Sequence, residues 1–313
     1  MIQLNARKDQ IKVKILADSI SSVSSKARIT SYELEYHRYI HAEFMTHRVF
    51  SKNAASSRAI PAAKLLQLVR DEPMLPIHLG MNQGGMSANQ ELPADVQIRI
   101  LELWEELGGL IADKVEALAQ LGLHKQVVNR PLEAMLPIKV VATGTEHLNF
   151  FELRDSQYAQ PEFQVLARKM REARDASTPR ELKPGEWHLP YITDHDRDWV
   201  AKGTCSIEWD VEQTLCWLSA ARCARTTHAL GGMTTKSAEE EIAKGRELFT
   251  LKHMSPFEHI ATPTDFTGAT PQEVGALIYH LATPESKCPP IFDVRNFRGW
   301  RSMRSFIENE EFK

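Results

Sequence analysis

The longest periodic segment of the chain covers residues 95–121. Its apolar residues recur at steps of three and four positions: Val96, Ile100, Leu103, Leu107, Leu110, Ile111 and Leu118. This spacing is typical of an amphipathic helix, and Gly122 stands where a left-handed residue commonly ends such a helix. The pattern therefore predicts one long helix whose apolar face belongs to the core.

Other segments carry shorter signals for strands and helices. Apolar patterns predict three strands, at residues 11–16, 138–144 and 291–294. Thr30 and Glu33 have the spacing of a capping box and predict a helix over about residues 31–45. A first-turn proline or a capping box predicts further helices, which begin at Pro161, Asp210, Ser237 and Thr270. Helices and strands do not alternate as in a doubly wound fold, so we expect an α+β fold, a mixed sheet with packed helices.

The composition of the chain changes after residue 176. Residues 176–208 are rich in Pro, Gly, Asp and Ser, as in a connection between two structured parts. We therefore divide the chain into residues 1–176, a connecting loop at residues 177–204, and residues 205–313.

Charge and composition exclude several classes of protein. The chain has 38 Lys and Arg against 41 Asp and Glu, a net charge of −3, so no general attraction to nucleic acid or anionic lipid is expected. No apolar run approaches the roughly 18 residues of a membrane span. Four cysteines without a CxxC pair, and two histidines one helical turn apart (His37, His41) without an acidic third ligand, give no metal motif. We expect a soluble, cytoplasmic protein without a metal.

The segment THRVFSKNAASSR, residues 46–58, is rich in hydrogen-bond donors. It carries two arginines, a histidine, a lysine, an asparagine and three serines, and it has no acidic residue. Such a segment favours an anionic ligand, most simply a phosphate. The alternative interpretation is a solvated polar loop, and composition leaves both open.

A second segment, NFFELRDSQYAQPE at residues 149–162, combines an apolar pair with polar residues. Phe150 and Phe151 can anchor it, while Arg154 can donate to the oxygens of a planar heteroaromatic ring. Equally, Arg154 can form a surface ion pair with Glu152 or Glu162. Composition alone favours the surface pair.

The last hundred residues contain three more stretches of interest: SAARCARTT (219–227), HMSPFEH (253–259) and RNFRGWRSMR (295–304). Their arginines form a second basic concentration with Phe297 and Trp300 interleaved as stacking surfaces. Taken alone, residues 295–304 suggest a strip that binds RNA or phosphate.

Together these segments resemble the flavin-dependent thymidylate synthases. That family carries an Arg-His-Arg signature followed seven residues later by a serine, and this chain has Thr46-His47-Arg48 followed by Ser56. It also carries a helix segment with asparagine that ends in an arginine and an Ala-Gln pair, which residues 149–160 match. Its Ala-Arg and Pro-Phe-Glu-His stretches are matched by residues 219–227 and 253–259.

The order of these motifs differs from that of the family's short members. There the Ala-Arg and Pro-Phe-Glu-His stretches precede the Arg-His-Arg signature, whereas here they follow it. Residues 295–304 stand where Arg-His-Arg would stand in the short form. The chain thus resembles a permuted or partly duplicated arrangement, in which residues 1–176 and 205–313 together form one catalytic unit.

The resemblance implies a fold like that of the thymidylate synthase-complementing proteins and a reductive methylation of dUMP at C5. Methylenetetrahydrofolate would supply the carbon, FAD the hydride and NADPH the electrons that reduce the flavin, in a homotetramer. By motif match, FAD would be contacted by His47, Arg48, Asn149, Thr227 and Ser255. The nucleotide would be held by Ser56, Ser57, Arg58, Arg130 and Arg154. Arg154, which would polarise the pyrimidine, and His253 would be the catalytic residues.

Three positions depart from the family's pattern. Thr46 replaces the first arginine of the signature, Glu43 stands where glutamine is common, and Tyr158 stands where histidine is common. These changes leave two alternatives open. One is a flavin-dependent one-carbon modification of another pyrimidine nucleotide, and the other is an inactive relative that binds a nucleotide or RNA.

Overall fold

The chain is built around a five-stranded mixed sheet. The computed structural model describes residues 6–23, 26–88, 90–202, 210–226, 236–264, 269–282 and 295–311. Within these ranges the strands of the sheet are β1 (Lys12–Ser21), β2 (Arg28–His37), β3 (Ser51–Ala54), β4 (Pro137–Gly144) and β5 (Arg180–Leu182), in the order β3-β4-β2-β1-β5. Neighbours pair antiparallel except β1 with β5, which are parallel. A small second sheet pairs β6 (Ala261–Pro263) with β7 (Trp300–Ser302). The predicted mixed sheet with packed helices is confirmed.

The helices pack on this sheet and beside it. Among the described residues they are α1 (His41–Met45), α2 (Ala62–Asp71), α3 (Ala94–Gln120), α4 (Lys125–Val128), α5 (Leu148–Arg154), α6 (Pro161–Ala176), α7 (Asp194–Ala201), α8 (Val211–Ala224), α9 (Ala238–Thr250), α10 (Pro271–Ala282) and α11 (Met303–Glu308). The helices expected to begin at Pro161, Asp210, Ser237 and Thr270 are all present. None of the helices in these described ranges has the length and apolar character that crossing a membrane requires.

The prediction of a helix over residues 31–45 was wrong for residues 31–37, which belong to strand β2. Arg38–Ile40 then form a 3₁₀ turn, and only His41–Met45, helix α1, are α-helical. The side chains of β2 alternate between the two faces of the sheet, so that Tyr32, Leu34 and Tyr36 are fully buried. Alternating aromatic and branched residues favour a strand over a helix. The supposed capping pair has other partners: Thr30 donates to Asp18, and Glu33 accepts from the hydroxyl of Tyr191.

Helix α3 confirms the long periodic segment, and Gly122 follows it with a φ of +88°. The apolar face, however, does not lie in the core as expected. Leu103, Leu107 and Leu110 are each about half exposed, whereas a neighbouring face that includes Leu101 and Val115 is buried. The helix therefore has two apolar faces, of which one packs against α2 and the other faces outward in the single chain.

Several hydrophobic clusters stabilise the described parts of the chain, and two of them are the largest. The larger one lies between the sheet and helices α5 and α6, and it is rich in aromatic rings such as Phe44, Phe150 and Phe163. The second joins helices α8 and α9 around Trp217 and Phe257. The first cluster matters for the candidate site because it supports the helix that carries Arg154.

A buried chain of hydrogen bonds connects the amino-terminal sheet to the carboxyl-terminal half. The ring of His188 bonds to the hydroxyls of Ser19 and Ser31, at 2.9 and 2.8 Å. Ser31 bonds to Thr143 at 2.5 Å, and Thr143 bonds to Nδ1 of His259 at 2.9 Å. All five residues are buried, so these contacts tie strands β1, β2 and β4 to residues far along the chain.

The segment expected to be a connecting loop contains regular structure. Residues 177–204 include strand β5, which extends the main sheet, and helix α7, which begins with a complete capping box between Thr193 and Asp196. Asp196 also binds Arg222 through both carboxylate oxygens. The strand expected at residues 291–294 lies outside the described residues.

Candidate active site

Arg154 ends helix α5 and is held by three contacts. Its Nε donates to Nε2 of His47 at 2.8 Å, and its Nη1 lies 3.2 Å from a carboxylate oxygen of Glu43. The guanidinium carbon is 4.6 Å from the ring centre of Phe163, a cation–π arrangement. The surface pair with Glu152 or Glu162, left open by the sequence, is replaced by a pair with Glu43. Arg154 is therefore fixed in orientation.

The local sequence explains why α5 presents Arg154 at this point. Phe150 and Phe151 are buried in the aromatic cluster and anchor the helix. Phe150 precedes Arg154 by four positions, so both side chains lie on the same helix face. The ring of His47 contacts the edge of Phe150, with the ring centres 5.0 Å apart. The apolar pair predicted as an anchor thus positions Arg154 beside His47.

His47 lies in the turn that follows α1 and is neutral at physiological pH. Burial and then the positive charges of Arg154 and Lys52 lower the pKa of His47 to about 4. Because the Nε2 atom accepts the hydrogen bond from Arg154, the ring proton resides on Nδ1. A neutral imidazole in this tautomer can present one donor to a ligand.

Lys52, on strand β3, closes the end of helix α1. Its ammonium donates to the carbonyls of His47 and Phe44, at 2.6 and 3.2 Å, and a third carbonyl lies at 3.4 Å. Burial lowers the pKa of Lys52 to about 8. The motif segment contained this residue, but its role in fixing the turn that carries His47 has no signal in the sequence.

A cavity of about 830 Å³ opens beside this cluster, and Arg154 and Glu43 form part of its wall. Other parts of the wall are Tyr39, Glu162, Trp104 and Met86. Burial, and then the neighbouring carboxylate of Glu162, raise the pKa of Tyr39, so its hydroxyl keeps its proton. The cavity combines apolar rings with a few polar groups and has the size of a small-molecule site.

A second polar cluster surrounds the carboxylate of Glu133. Ser57 donates to it at 2.6 Å, Arg130 at 2.8 Å, and Arg38 lies at 3.2 Å. Burial acts to raise the pKa of Glu133, but the bond from Ser57 and the charge of Arg38 outweigh it and lower the pKa. Two arginines share one carboxylate, so the cluster retains a positive charge. The sequence predicted Ser57 and Arg130 but missed Arg38, which follows the misassigned strand.

His41, the first residue of α1, is another histidine with a lowered pKa. Burial, followed by the positive charges of Arg38 and Lys52, lowers the pKa of His41 to about 4. Its Nδ1 bonds to the hydroxyl of Tyr36 at 2.8 Å. Arg38 also donates to the carbonyl of Ala55 at 3.3 Å, directly after strand β3, which carries Lys52, so both clusters lie beside this strand.

The other residues that the sequence predicted for the site belong to neither of these two clusters. Arg48, Arg58 and Asn149 are exposed, and Ser56 is half-buried. Ser255 and His253 are exposed near the 3₁₀ helix Ser255–Glu258, which packs against β3. Within the described ranges no hydrogen bond joins either residue to His47 or Arg154, and Thr227 lies outside those ranges. The structure thus pairs His47 with Arg154, and it joins Ser57 and Arg130 only through the carboxylate of Glu133.

The arginines of the carboxyl-terminal half do not form a free basic strip. Arg222 and Arg225 pair with Glu241, Arg304 pairs with Glu258, and Arg301 pairs with Glu311. Arg295 and Arg298 pair with Glu308 and Glu146. Phe297 and Trp300 are fully buried and present no stacking surface. Among the described residues, moreover, no cluster of three or more His, Cys, Asp or Glu is suited to a metal.

Comparison with known protein families identifies the family of the chain. The family model for the thymidylate synthase complementing protein matches residues 4–180, more than half of the sequence. The chain belongs to this family. The match confirms the resemblance to the flavin-dependent thymidylate synthases, and it includes both segments that contribute His47 and Arg154. The stretches at residues 219–227 and 253–259 lie beyond the matched residues, so the permuted motif order stays a prediction.

Two solved structures are also similar to the chain. Both are of the UMP/dUMP methylase PolB from Streptomyces cacaoi, one bound with 5-Br UMP and the other with 5-Br dUMP. Their sequence identities are 15% and 14%, and their TM-scores are 0.42 and 0.43. Each alignment covers 52% of this chain, and 88% or 89% of the other chain. No curated protein matches the chain.

Proposed function

We propose that the chain is a flavin-dependent thymidylate synthase that methylates dUMP at C5 to give dTMP. Membership of the family supports this reaction class. The observation that carries the proposal is Arg154, a cation held by His47, Glu43 and Phe163 at the wall of a cavity of about 830 Å³. Methylenetetrahydrofolate is the proposed carbon donor, and NADPH the proposed reductant.

Arg154 is the proposed electrostatic catalyst. A guanidinium has five N–H donors, and the contacts with His47 and Glu43 use only part of this set. The remaining donors can bind an oxygen of the pyrimidine and stabilise the negative charge that forms on the ring when C5 becomes nucleophilic. Because three contacts fix Arg154 beforehand, little reorganisation is needed as that charge develops. The role of His253 as a second catalytic residue rests on the motif match alone.

The donor set around Arg154 fits a flavin. His47 is neutral and carries a proton on Nδ1, while Arg48, Asn149 and Ser255 offer exposed donors or acceptors. These residues would hold FAD, together with Thr227, which belongs to the proposed set through the motif match. When bound, FAD supplies the hydride that converts the transferred carbon to a methyl group.

The cluster around Glu133 is the proposed phosphate site of the nucleotide. Arg38 and Arg130 give it a surplus of positive charge, and Ser57 adds a hydroxyl. Ser56 and Arg58 neighbour Ser57 in the chain and complete the proposed set. A nucleotide phosphate would compete with Glu133 for these donors, which are of the kind that binds phosphate strongly.

Glu43 favours a second candidate substrate. Its carboxylate is only 3.2 Å from Arg154 and lines the cavity, so a base that enters would meet an acceptor as well as a donor. The exocyclic amine of cytosine donates to such an acceptor, whereas the corresponding oxygen of uracil does not. A flavin-dependent modification of a cytidine nucleotide is therefore the alternative. An inactive relative that binds nucleotide or RNA would keep the cavity but show no turnover.

The test uses the purified full-length protein. We expect the visible absorption of bound oxidised flavin, bleached by NADPH without oxygen, and release of tritium from C5-labelled dUMP when methylenetetrahydrofolate is present. Arg154→Ala should abolish this release. Arg168→Ala, a change of an exposed arginine paired with Asp155, is the matched control. Release of tritium from C5-labelled dCMP but not from C5-labelled dUMP would support the cytidine alternative. A colourless protein that takes up no flavin would refute the proposal that the chain is a flavoenzyme.

We also propose a cytoplasmic location and a homotetramer. The buried cysteines Cys216 and Cys223 are free thiols, as in proteins of reducing compartments. The tetramer is inferred from the family, and the outward apolar face of α3 supports contact with a second copy of the chain.

A further inference from the structure

One wall of the cavity beside Arg154 is a loop whose two ends lie side by side. The amide of Leu92 donates to the carbonyl of Leu79 at 3.0 Å, and the amide of Met81 donates to the carbonyl of Gln90 at 2.7 Å. The members of this loop that line the cavity are Gly80, Met86, Ser87 and Ala88. The contacts that hold the loop therefore affect the shape of the cavity.

His78 precedes this loop and contacts it through both ring nitrogens. Its Nδ1 lies 3.0 Å from a carboxylate oxygen of Glu91, and its Nε2 lies 2.9 Å from the carbonyl oxygen of Ala88. The contact at Nε2 is close, because a Cβ atom on Gly80 would lie 3.0 Å from Nε2 of His78 and 2.3 Å from Cβ of Ala88. The imidazole, which is 24% exposed, thus joins the start of the loop to two points near its end.

Both partners of the His78 ring are hydrogen-bond acceptors. A carbonyl oxygen and an ionised carboxylate have no proton to donate, and a neutral imidazole has only one N–H group. Both bonds therefore form only when both nitrogens of His78 carry a proton, and the ring is then an imidazolium. Histidine gains and loses this second proton between about pH 5 and 8. At higher pH one of the two bonds must break.

The other ionisable groups around His78 do not bond to its ring. Within the described part of the chain, the ring has no hydrogen bond or ion pair beyond the two above. His78 lines a second cavity of about 390 Å³ as well as the first. The cations near it are Arg7, Lys8, Arg154 and Arg168, and the acidic groups other than Glu91 are Glu43 and Glu162. Two phenols, Tyr39 and Tyr158, also lie on these walls. Because Arg154 is paired with Glu43, the ring depends on Glu91 to stabilise its positive charge.

We propose that His78 is a pH-sensitive switch that holds the cavity wall while its ring is charged. The charged ring joins Ala88 and Glu91. When the ring loses a proton, the loop that carries Met86 keeps one bond fewer and opens more often. A ligand in the cavity therefore meets a firmer wall below neutral pH than above it. The switch rests on the contacts of His78 and stands whether or not the chain methylates a nucleotide.

The test measures amide hydrogen exchange of the full-length protein by NMR at about pH 5 and about pH 8, the limits of the interval in which histidine titrates. The quantity compared is the protection factor, the ratio of the intrinsic to the observed exchange rate, at the amides of Met81 and Leu92. We expect both protection factors to be about two- to fivefold lower at the higher pH, an effect typical of one exposed ion pair. The ¹⁵N resonances of the His78 ring, assigned as the signals missing from His78→Gln, should change over the same interval.

Glu91→Gln is the decisive variant. The amide of glutamine can donate to Nδ1 of a neutral ring, while Nε2–H still donates to Ala88, so both bonds persist without a charge on His78. The protection factors of this variant should therefore be nearly the same at both pH values. Glu102→Gln changes another exposed, paired carboxylate and should keep the pH dependence of the wild type. Equal protection factors at both pH values in the wild type, or a pH dependence that persists in Glu91→Gln, would overturn the proposal.

Discussion

Arg154 donates from Nε to Nε2 of His47 at 2.8 Å, although 107 positions separate the two residues in the chain. The bond fixes the tautomer of the histidine and the plane of the guanidinium at the same time. Each residue stands in a different motif segment, and the core contact between Phe150 and His47 brings the segments together. This relationship determines what substitutions at Arg154 should do.

Arg154→Lys should lower kcat by about a hundredfold or more while the fold is retained. Lysine keeps the positive charge, but its single ammonium cannot bond to His47 and Glu43 in the planar geometry of a guanidinium. Loss of one preorganised donor has effects of this size in other enzymes. Steady-state kinetics of tritium release would measure the change in kcat, with Arg168→Lys as the control variant. Equal kcat values in the two variants would exclude Arg154 from the mechanism.

Arg130→Ala should raise KM for the nucleotide about tenfold and leave kcat nearly unchanged. The residue is part of the cluster at Glu133, where a phosphate would bind in the ground state and the transition state alike. Arg99→Ala on α3 removes another exposed arginine that is paired with a glutamate three positions away, and it should change neither parameter. A lower kcat at constant KM in Arg130→Ala would contradict a role in phosphate binding.

The protein should lose stability as the pH falls from about 6.5 towards about 3. Burial lowers the pKa of His147, His188 and His259 to about 3 each. In this interval the unfolded chain binds protons that the folded chain does not, so acid favours unfolding. Each histidine contributes up to about 1.4 kcal/mol per pH unit. Urea unfolding at several pH values within this interval measures the slope of the free energy of unfolding against pH.

His188→Gln should make that slope shallower, because glutamine can bridge Ser19 and Ser31 but does not titrate. His195→Gln changes an exposed histidine and should leave the slope as it is. A slope that is unchanged in His188→Gln would show that His188 is not the source of the effect.

Gly245→Ala should destabilise the protein by about 1–3 kcal/mol, the usual effect of overpacking. Gly245 faces α8 from α9, and an added methyl group would overlap the carbonyl of Trp217. Gly109→Ala is a matched change inside α3, where a methyl group meets nothing within 4 Å. That variant should gain about 0.5–1 kcal/mol from helix propensity. Thermal unfolding of the two variants should therefore shift in opposite directions, and a parallel shift would refute the close packing of α8 and α9.

Leu107→Glu should reduce the molecular mass of the particle in solution without unfolding the chain. Leu107 is 45% exposed and lies on the outward apolar face of α3, which the proposed tetramer would cover. A buried, unpaired carboxylate at such an interface is strongly unfavourable. Light scattering after gel filtration measures the mass, with Glu106→Ala as control. A wild-type mass equal to that of one chain would refute the tetramer.

The sequence predicted elements that depend on local signals. The spacing of leucines gave α3, Pro161 gave α6, and the pair Ser237 and Glu240 gave a capping box that the structure contains in full. The same kind of signal failed at Thr30 and Glu33, because cross-strand pairing with β1 and β4 outweighed a local capping preference. Local patterns report on local contacts only.

In the candidate site, too, the sequence predicted residues within local motifs but not the contacts between distant segments. The motif segments predicted His47, Arg154 and Ser57 as site residues, and the resemblance to the family added Arg130. The partners that orient them, Glu43 for Arg154 and Glu133 for Ser57 and Arg130, depend on contacts between distant segments and have no signature of their own. Arg38 was missed because its segment was assigned to the wrong element.

The hydroxyl of Thr143 bonds to Ser31 within the sheet and to His259 outside it. A fragment cut after residue 180 would contain Ser19, Ser31 and Thr143 but neither of the histidines that satisfy them. Such a fragment would expose a row of bare hydroxyls along its sheet. Anyone who shortens this chain to the part that resembles its relatives should therefore replace those three side chains with small apolar ones, or supply residues 181–311 as a separate polypeptide.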